Sequence, residues 1–297
     1  MEDFFSELED IYKKLQEKYI NAEGTCIGCD HCCTSLINYP PISILEYDFL
    51  EARLEKEKDK ILDFKRFISS KTLPFCPFYS DGCKVYELRP ICCRLFGPFI
   101  SHSTDLPDRC IYKNIAHKTE EKILFRIEPD LRRFQILKLK YELYKSENIG
   151  ILIQLTEEFI AQNRLSDAIE ILNQIYNKYP EEPAYYFYSG LICKWQRNMP
   201  EAISYFRECI KRKGEKKYPY VYEYLGLIYY SINELQKARE TLEKALNILP
   251  NSPEAHIGMA LVNLKEASNH CHNVLNIDPH NEVAFYLLEH NSLKEFL

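Results

Sequence analysis

The residues with the clearest capacity for chemistry are cysteines near the N-terminus. Residues 26–33 read CIGCDHCC, which places four thiols within one short segment. Nine of the twelve cysteines lie between Cys26 and Cys110, and the remaining three are Cys193, Cys209 and Cys271. Thiols at this density pair as disulfides, ligate metals or carry out redox chemistry.

The rest of the composition narrows these choices. The first residues, MEDFFSELED, are acidic and do not resemble a secretory signal, and no apolar run is long enough to predict a membrane span. We therefore expect a cytoplasmic protein, whose thiols stay reduced and favour metal ligation over disulfides. The net charge of -6 predicts neither a nucleic-acid partner nor an anionic membrane surface.

The spacing of the first cysteines bears on the kind of metal. Cys26, Cys29 and Cys32 are each separated by two residues, as in the ferredoxin run that holds an iron–sulfur cubane. Zinc sites more often combine two CxxC pairs that lie a dozen or more residues apart. The side chains of the adjacent Cys32 and Cys33 tend to diverge, which predicts that they serve different metals or different corners of one larger site.

A second group of thiols follows in CPFYSDGCKVYELRPICCRLFGP, which begins at residue 76. Cys76 precedes a proline, as cluster ligands often do. Folding that joins this group to the first would create two four-thiolate sites, or one cluster and a smaller site. The group consists of Cys76, Cys83, Cys92, Cys93 and, farther on, Cys110.

Together, C-x2-C-x2-CC, then CPF, then GC-x-V-Y-E-x-RP-x-x-CR resemble the CxxCxxCC (YkgJ-type) family of zinc- or iron-chelating domains over about residues 20–115. The resemblance implies a metal centre holding an iron–sulfur cluster, of the 4Fe–4S type, or zinc. It leaves Cys92 as an extra thiol. The metal ligands that it implies are Cys26, Cys29, Cys32, Cys33, Cys76, Cys83, Cys93 and Cys110.

Two arginines flank the last of these motifs. Arg89 and Arg94 could offset the negative charge of thiolate-bound metal or donate hydrogen bonds to sulfur. The alternative is an ordinary ion pair with Asp81 or Glu87.

The second half of the chain carries a repeat. Tyr222-x2-Leu225-Gly226-x2-Tyr229, followed by Ala238, Leu242 and Pro250, resembles the tetratricopeptide repeat (TPR) template. The same frame recurs near residues 186–206 and 152–180, and a shortened copy is predicted from Pro253 to Pro279. Gly and Ala are expected where paired helices approach closely. Cys193, Cys209 and Cys271 then read as packing residues.

These patterns predict a mainly α fold. A small cysteine-rich metal-binding domain with helical flanks (1–115) precedes a connecting helix (116–148) and an all-α TPR superhelix with a C-terminal capping helix (149–297). The first flank should bury one face of a helix over residues 4–20, and residues 43–70 should form one or two helices. The predicted face consists of Phe4, Leu8, Ile11, Leu15 and Tyr19.

Three functions fit this organisation. The first is a metal-binding protein, with iron–sulfur or zinc, whose repeats bind a protein partner. The second is a cluster-dependent protein-modifying enzyme, because the flagellin lysine N-methylase group carries a similar cluster. The third is a structural zinc domain on a TPR adaptor.

The TPR resemblance also implies a groove that holds a protein or peptide segment. An apolar or aromatic segment is expected, because the positions that would line the groove are Phe187, Leu191, Trp195, Leu227 and Tyr230.

Overall fold

The structure is a computed structural model that describes residues 1–20, 42–54, 59–61, 63–64, 76, 78, 85, 88–95 and 116–290. Every regular element in these ranges is a helix, so the mainly α fold is confirmed. The chain forms two compact units, Met1–Asn163 and Arg164–Leu297. The boundaries predicted near residues 115 and 148 remain a prediction.

The described part of the first unit is built from helices. α1 packs against α4 and α2, while α4 also packs against α2 and α5. The long connecting helix predicted after residue 116 corresponds to α4, which continues through Pro129. The helices are α1 (Glu2–Ile20), α2 (Ile44–Arg53), α3 (Ile91–Leu95), α4 (Ala116–Lys145) and α5 (Ile149–Ala161).

Helix α1 forms because its apolar residues recur at helical spacing and its first turn carries Glu2 and Asp3. Leu8, Ile11 and Leu15 are fully buried, as predicted. The face differs from the prediction at its start, because Phe5 is buried whereas Phe4 is only partly buried, with its ring edge-on to that of Tyr141 at 5.2 Å. Phe5 lies three residues before Leu8 and therefore continues the same stripe.

These helices share one apolar core, which we call the first cluster. Burial of its side chains supplies the main driving force for packing α1, α2 and α4 together. The buried members are Phe5, Leu8, Ile11, Tyr12, Leu15, Leu45, Phe49, Ile91, Ile127, Leu137 and Tyr141.

Polar contacts at its edge connect α4 to α1 and α2. The Arg133 guanidinium donates to Glu7 at 3.0 Å and to Asp10 at 2.5 Å. Lys14 and Arg133 together lower the pKa of Asp10. The Tyr141 hydroxyl donates to Asp48 of α2 at 2.7 Å, and burial raises the pKa of Tyr141.

The described residues of the second unit form seven α-helices, which pack against their neighbours in the sequence. Pro183 and Pro253 stand at the first positions of their helices, where a missing N–H costs least. The helices are α6 (Leu165–Lys178), α7 (Pro183–Trp195), α8 (Met199–Lys211), α9 (Val221–Ser231), α10 (Leu235–Ile248), α11 (Pro253–Ile277) and α12 (Glu282–His290).

Glycines allow the paired helices to approach closely. A Cβ atom at Gly190 of α7 would lie 2.8 Å from the Phe206 ring of α8. At the matching position of the next pair, a Cβ atom at Gly226 would lie 2.6 Å from Cγ of Leu242. Both distances are shorter than van der Waals contact, so each hairpin depends on its glycine.

The turn between helices that follow one another in the sequence repeats as well. Asn163, Arg197 and Asn233 adopt left-handed conformations with φ values of 55°, 60° and 65°. The period of the TPR template places the next left-handed residue, after Asn233, at Ala267. Alanine favours a helical conformation over a left-handed one. The predicted fourth hairpin is therefore wrong, because Pro253–Ile277 forms one continuous helix.

Replacing Gly226 by Ala should destabilise the repeats. We expect a loss of about 1–2 kcal/mol in the free energy of unfolding, because overpacking outweighs the higher helix propensity of Ala. Chemical denaturation followed by circular dichroism measures it. Lys244→Ala, an exposed change on the same helix as Leu242, should stay within about 0.5 kcal/mol. Equal effects of the two variants would contradict the close approach.

Replacing Arg197 by Gly should instead raise the free energy of unfolding. Arg197 is exposed and left-handed, so Gly should stabilise the repeats by roughly 0.5–1 kcal/mol. Asn233→Gly should gain less, since Asn tolerates this conformation better than Arg. Thermal unfolding of both variants measures the difference, and a loss of stability in Arg197→Gly would show that the turn is not strained.

Candidate metal centre

The sequence predicts eight cysteine ligands, and the structure describes two of their side chains. Cys76 and Cys93 lie in the described residues, while Cys26, Cys29, Cys32, Cys33, Cys83 and Cys110 lie outside them. Cys92 belongs to α3. The ligand set as a whole therefore stays a prediction.

The two described ligands belong to the same apolar environment. Cys76 is buried in a second cluster, and Cys93 is partly buried against that cluster. Seventeen positions separate them in the chain, yet the fold brings both to this cluster. Its buried members are Leu50, Ile61, Phe64, Cys76, Phe78 and Val85.

Cys93 is carried by α3, a helix of only five residues. Such a short helix is unstable by itself, because nucleation fixes several backbone dihedrals for very few hydrogen bonds. Its position must therefore be set by contacts with its neighbours. Ile91, its first residue, is buried in the first cluster.

The start of α3 is held by Glu46, a carboxylate that is only 4% exposed. Glu46 Oε1 accepts from the backbone N–H of Ile91 at 2.6 Å and from the Tyr12 hydroxyl at 3.0 Å. Glu46 Oε2 accepts from the backbone N–H of Ser43 at 3.1 Å and from its hydroxyl at 2.8 Å. One side chain thus joins α1, α2 and the start of α3.

The Ser43 contacts form a capping box, in which the hydroxyl of Ser43 accepts from the backbone N–H of Glu46 at 3.2 Å. The box fixes the Glu46 side chain at the start of α2. Its remaining oxygen is then available to Tyr12 and Ile91.

The end of α3 is held by Arg94, which is 5% exposed. Its guanidinium stacks over the Tyr12 ring, 4.2 Å from the ring centre, and this cation–π contact offsets part of the cost of burying the charge. The guanidinium also donates to the Arg89 carbonyl at 2.7 Å and to Gln16 Oε1 at 3.0 Å. Tyr12 therefore contacts both groups that hold α3.

This geometry gives the R-P-x-x-C-R motif a structural role. Arg89 supplies a backbone acceptor, Pro90 accepts from the backbone N–H of Arg94 at 3.0 Å, and Arg94 anchors α3 to α1. The contacts of Arg94 with α1 were not predicted. The roles predicted for Arg89 and Arg94 beside thiolate-bound metal stay predictions.

The donor chemistry fits a thiolate-bound metal. No disulfide is formed by any cysteine whose side chain the structure describes. Within the described ranges, no group of three or more Cys, His, Asp or Glu side chains converges. A complete ligand set therefore requires the predicted cysteines outside those ranges.

The cysteines of the repeats have a different setting. Cys193, Cys209 and Cys271 are buried. Burial raises the pKa of Cys193, and it raises that of Cys209 to about 12. These two thiols therefore stay protonated at neutral pH, as expected of packing residues.

The residues expected to line the groove divide into two groups. Phe187 and Leu191 are buried within the repeats, and the Phe187 ring stacks on Tyr218 with 4.4 Å between ring centres. Leu227 and Tyr230 are half-buried, and Trp195 is 48% exposed. Only the last three can offer appreciable surface to a partner.

No helix in the described part of the chain combines the length and the low charge that crossing a membrane requires.

A search of solved structures finds a neighbour with low sequence identity and a low TM-score. A chain in the crystal structure titled "APC/C hetero-tetramer Cut9-Hcn1" is 15% identical and gives a TM-score of 0.39. The match covers 97% of the present chain and 47% of that chain, so the present chain spans about half of its length. No curated protein matches the sequence.

Family models match one segment in each half of the chain. Residues 25–111 match the family described as "Putative zinc- or iron-chelating domain", CxxCxxCC, and residues 226–266 match a TPR repeat. The chain thus carries a CxxCxxCC domain followed by TPR sequence, which confirms both resemblances and their order.

Proposed function

We propose that this protein binds zinc or iron through cysteine thiolates near its N-terminus and binds a protein partner through its repeats. The observation that supports the metal centre most directly is the placement of Cys76 and Cys93 at one apolar cluster. An apolar surrounding lowers the local dielectric and limits solvent access, both of which tune a bound metal. The full ligand set proposed is the eight cysteines of the family motif.

The metal choice follows from cysteine spacing. The repeated two-residue spacing of Cys26, Cys29 and Cys32 favours an iron–sulfur cluster. Zinc is the second candidate, because the matching family is described as zinc- or iron-chelating. Either metal would add folding free energy to a domain whose ligands come from distant segments. A reducing compartment such as the cytoplasm suits this chemistry, since thiolates must remain available.

The repeats would hold a polypeptide. Stacked helical hairpins create extended surfaces without any catalytic machinery. Trp195, Leu227 and Tyr230 present apolar area on α7 and α9, and Trp is among the residues that contribute most to interfaces. An apolar or aromatic segment is the partner proposed. The enzymatic alternative finds no support among the described residues.

Metal content tests the first half of the proposal. The full chain, purified without oxygen and analysed for zinc and iron, should contain bound metal. An iron–sulfur cluster would give a broad absorbance near ~400 nm, whereas d10 zinc gives no colour. Cys76→Ser and Cys93→Ser should each lose at least about half of that metal, because each removes one first-sphere thiolate.

Cys193→Ser is the matched control, since it alters a buried cysteine of the repeats. It should retain the metal content of the parent chain. The proposal fails if the parent chain contains no metal, or if Cys193→Ser loses as much as Cys76→Ser and Cys93→Ser.

The second half of the proposal can be tested with short random peptides selected for binding to the full chain. The selected peptides should be rich in apolar and aromatic residues, and Trp195→Ala should weaken their binding about tenfold or more. Trp195 is the single tryptophan of the chain, so its fluorescence reports docking directly. Phe285→Ala removes a comparably exposed aromatic of the same unit and should have little effect. Equal binding by both variants would exclude the groove.

A further inference from the structure

We infer that Glu46 is a positioning residue for the metal centre, acting through the start of the helix that carries Cys93. The inference rests on the proposed function, because it concerns the same site. Glu46 is not part of the cysteine motif, and it lies on α2, whereas Cys93 lies on α3. Its contacts nevertheless determine where α3 begins.

Helix α3 is too short to hold itself in place. Its five residues cannot fix their own orientation, so the direction of the Cys93 side chain depends on how the two ends are held. Ile91 and Arg94 are the buried residues at those ends. The groups that hold them, Glu46 and Tyr12, come from α2 and α1.

The Glu46 carboxylate suits the donors that surround it. Its two oxygens accept four hydrogen bonds, and every donor is an N–H or O–H group. A carboxylate is the only side-chain end of this shape that can accept at both oxygens. A Gln in its place would turn an NH₂ group toward donors at one end only, so it could keep the Ile91 contact and lose the capping box, whereas a Leu of similar size removes both.

A metal bound by Cys93 depends on where α3 places that thiolate. Metal ions tolerate little error in ligand position, and residues that only orient a ligand typically change metal affinity 10- to 100-fold. Loss of the Glu46 contact lets α3 tilt, so Cys93 must be reordered each time a metal binds. Part of the binding free energy is then spent on that ordering.

The experiment uses the full chain, stripped of metal under anoxic reducing conditions and titrated with Co²⁺. Thiolate-bound Co²⁺ gives intense absorption bands, which report both affinity and the number of thiolate ligands. Thermal unfolding with and without Co²⁺ supplies a second readout.

Glu46→Leu, which removes both acceptor oxygens, should weaken Co²⁺ binding at least tenfold and shrink the Co²⁺-induced rise in Tm. Ser43→Ala is the matched control: it removes the Ser43 hydroxyl, which both donates to and accepts from Glu46, and leaves the Ile91 contact in place. It should change Co²⁺ affinity by less than threefold.

A purely structural role for Glu46 predicts something else. Tm would then fall equally with and without Co²⁺, and the affinity would match that of the parent chain. That result overturns the inference while leaving the proposed function intact. A parent chain that shows no thiolate–cobalt bands contradicts the proposed function and the inference with it.

A second variant tests the same contact if Glu46→Leu does not fold. Ile91→Pro removes the backbone N–H that donates to Glu46, and Pro is favoured at the first position of a helix. Its Co²⁺ affinity should fall at least threefold. Affinity equal to that of the parent chain would overturn the inference.

Discussion

The first unit depends on a buried carboxylate that must be fully satisfied. Removing an ionised carboxylate from water costs several kcal/mol, and only good hydrogen bonds offset that cost. Glu46 meets this requirement with donors from three segments, which are Tyr12 on α1, Ser43 before α2 and Ile91 on α3. The arrangement forces these segments to meet at one point. The apolar residues around Glu46 pack these segments together, and the carboxylate determines how the segments are aligned with one another.

The contacts at Glu46 also explain how the short R-P-x-x-C-R motif can position a cysteine. Ile91 starts α3 against Glu46, and Arg94 in its last turn packs on the Tyr12 ring. Cys93, between these anchors, then lies beside the cluster that contains Cys76. A buried guanidinium and a buried carboxylate thus share one tyrosine, whose hydroxyl and ring face serve different partners. Buried networks of this kind specify a unique arrangement only when every member is satisfied.

Much of the fold could be predicted from local pattern. The spacing of Leu8, Ile11 and Leu15 predicts the buried face of α1, and Gly226 with Leu242 predicts a close helix pair. The pattern failed at Pro253–Ile277, where composition resembled a repeat but Ala267 offered no left-handed turn. In this segment the helix propensity of the residues outweighed the repeat pattern.

The candidate site was less accessible to sequence reasoning. The thiols are visible as a motif, and Ser43-x-x-Glu46 is recognisable as a capping box. No local pattern predicts that the second oxygen of Glu46 accepts from the backbone N–H of Ile91, 45 residues later. The stacking of Arg94 on Tyr12 is equally non-local, since they lie on segments joined only by folding. Contacts of this kind depend on tertiary packing, which a single sequence does not encode as a pattern.

The central claim is that cysteine sulfurs surround a metal ion in the N-terminal region. X-ray absorption at the zinc and iron edges, recorded on the full chain purified without oxygen, tests it most directly. We expect a first shell of sulfur atoms, at about 2.3 Å if the metal is zinc. A first shell of nitrogen or oxygen atoms at about 2.0–2.2 Å would contradict it.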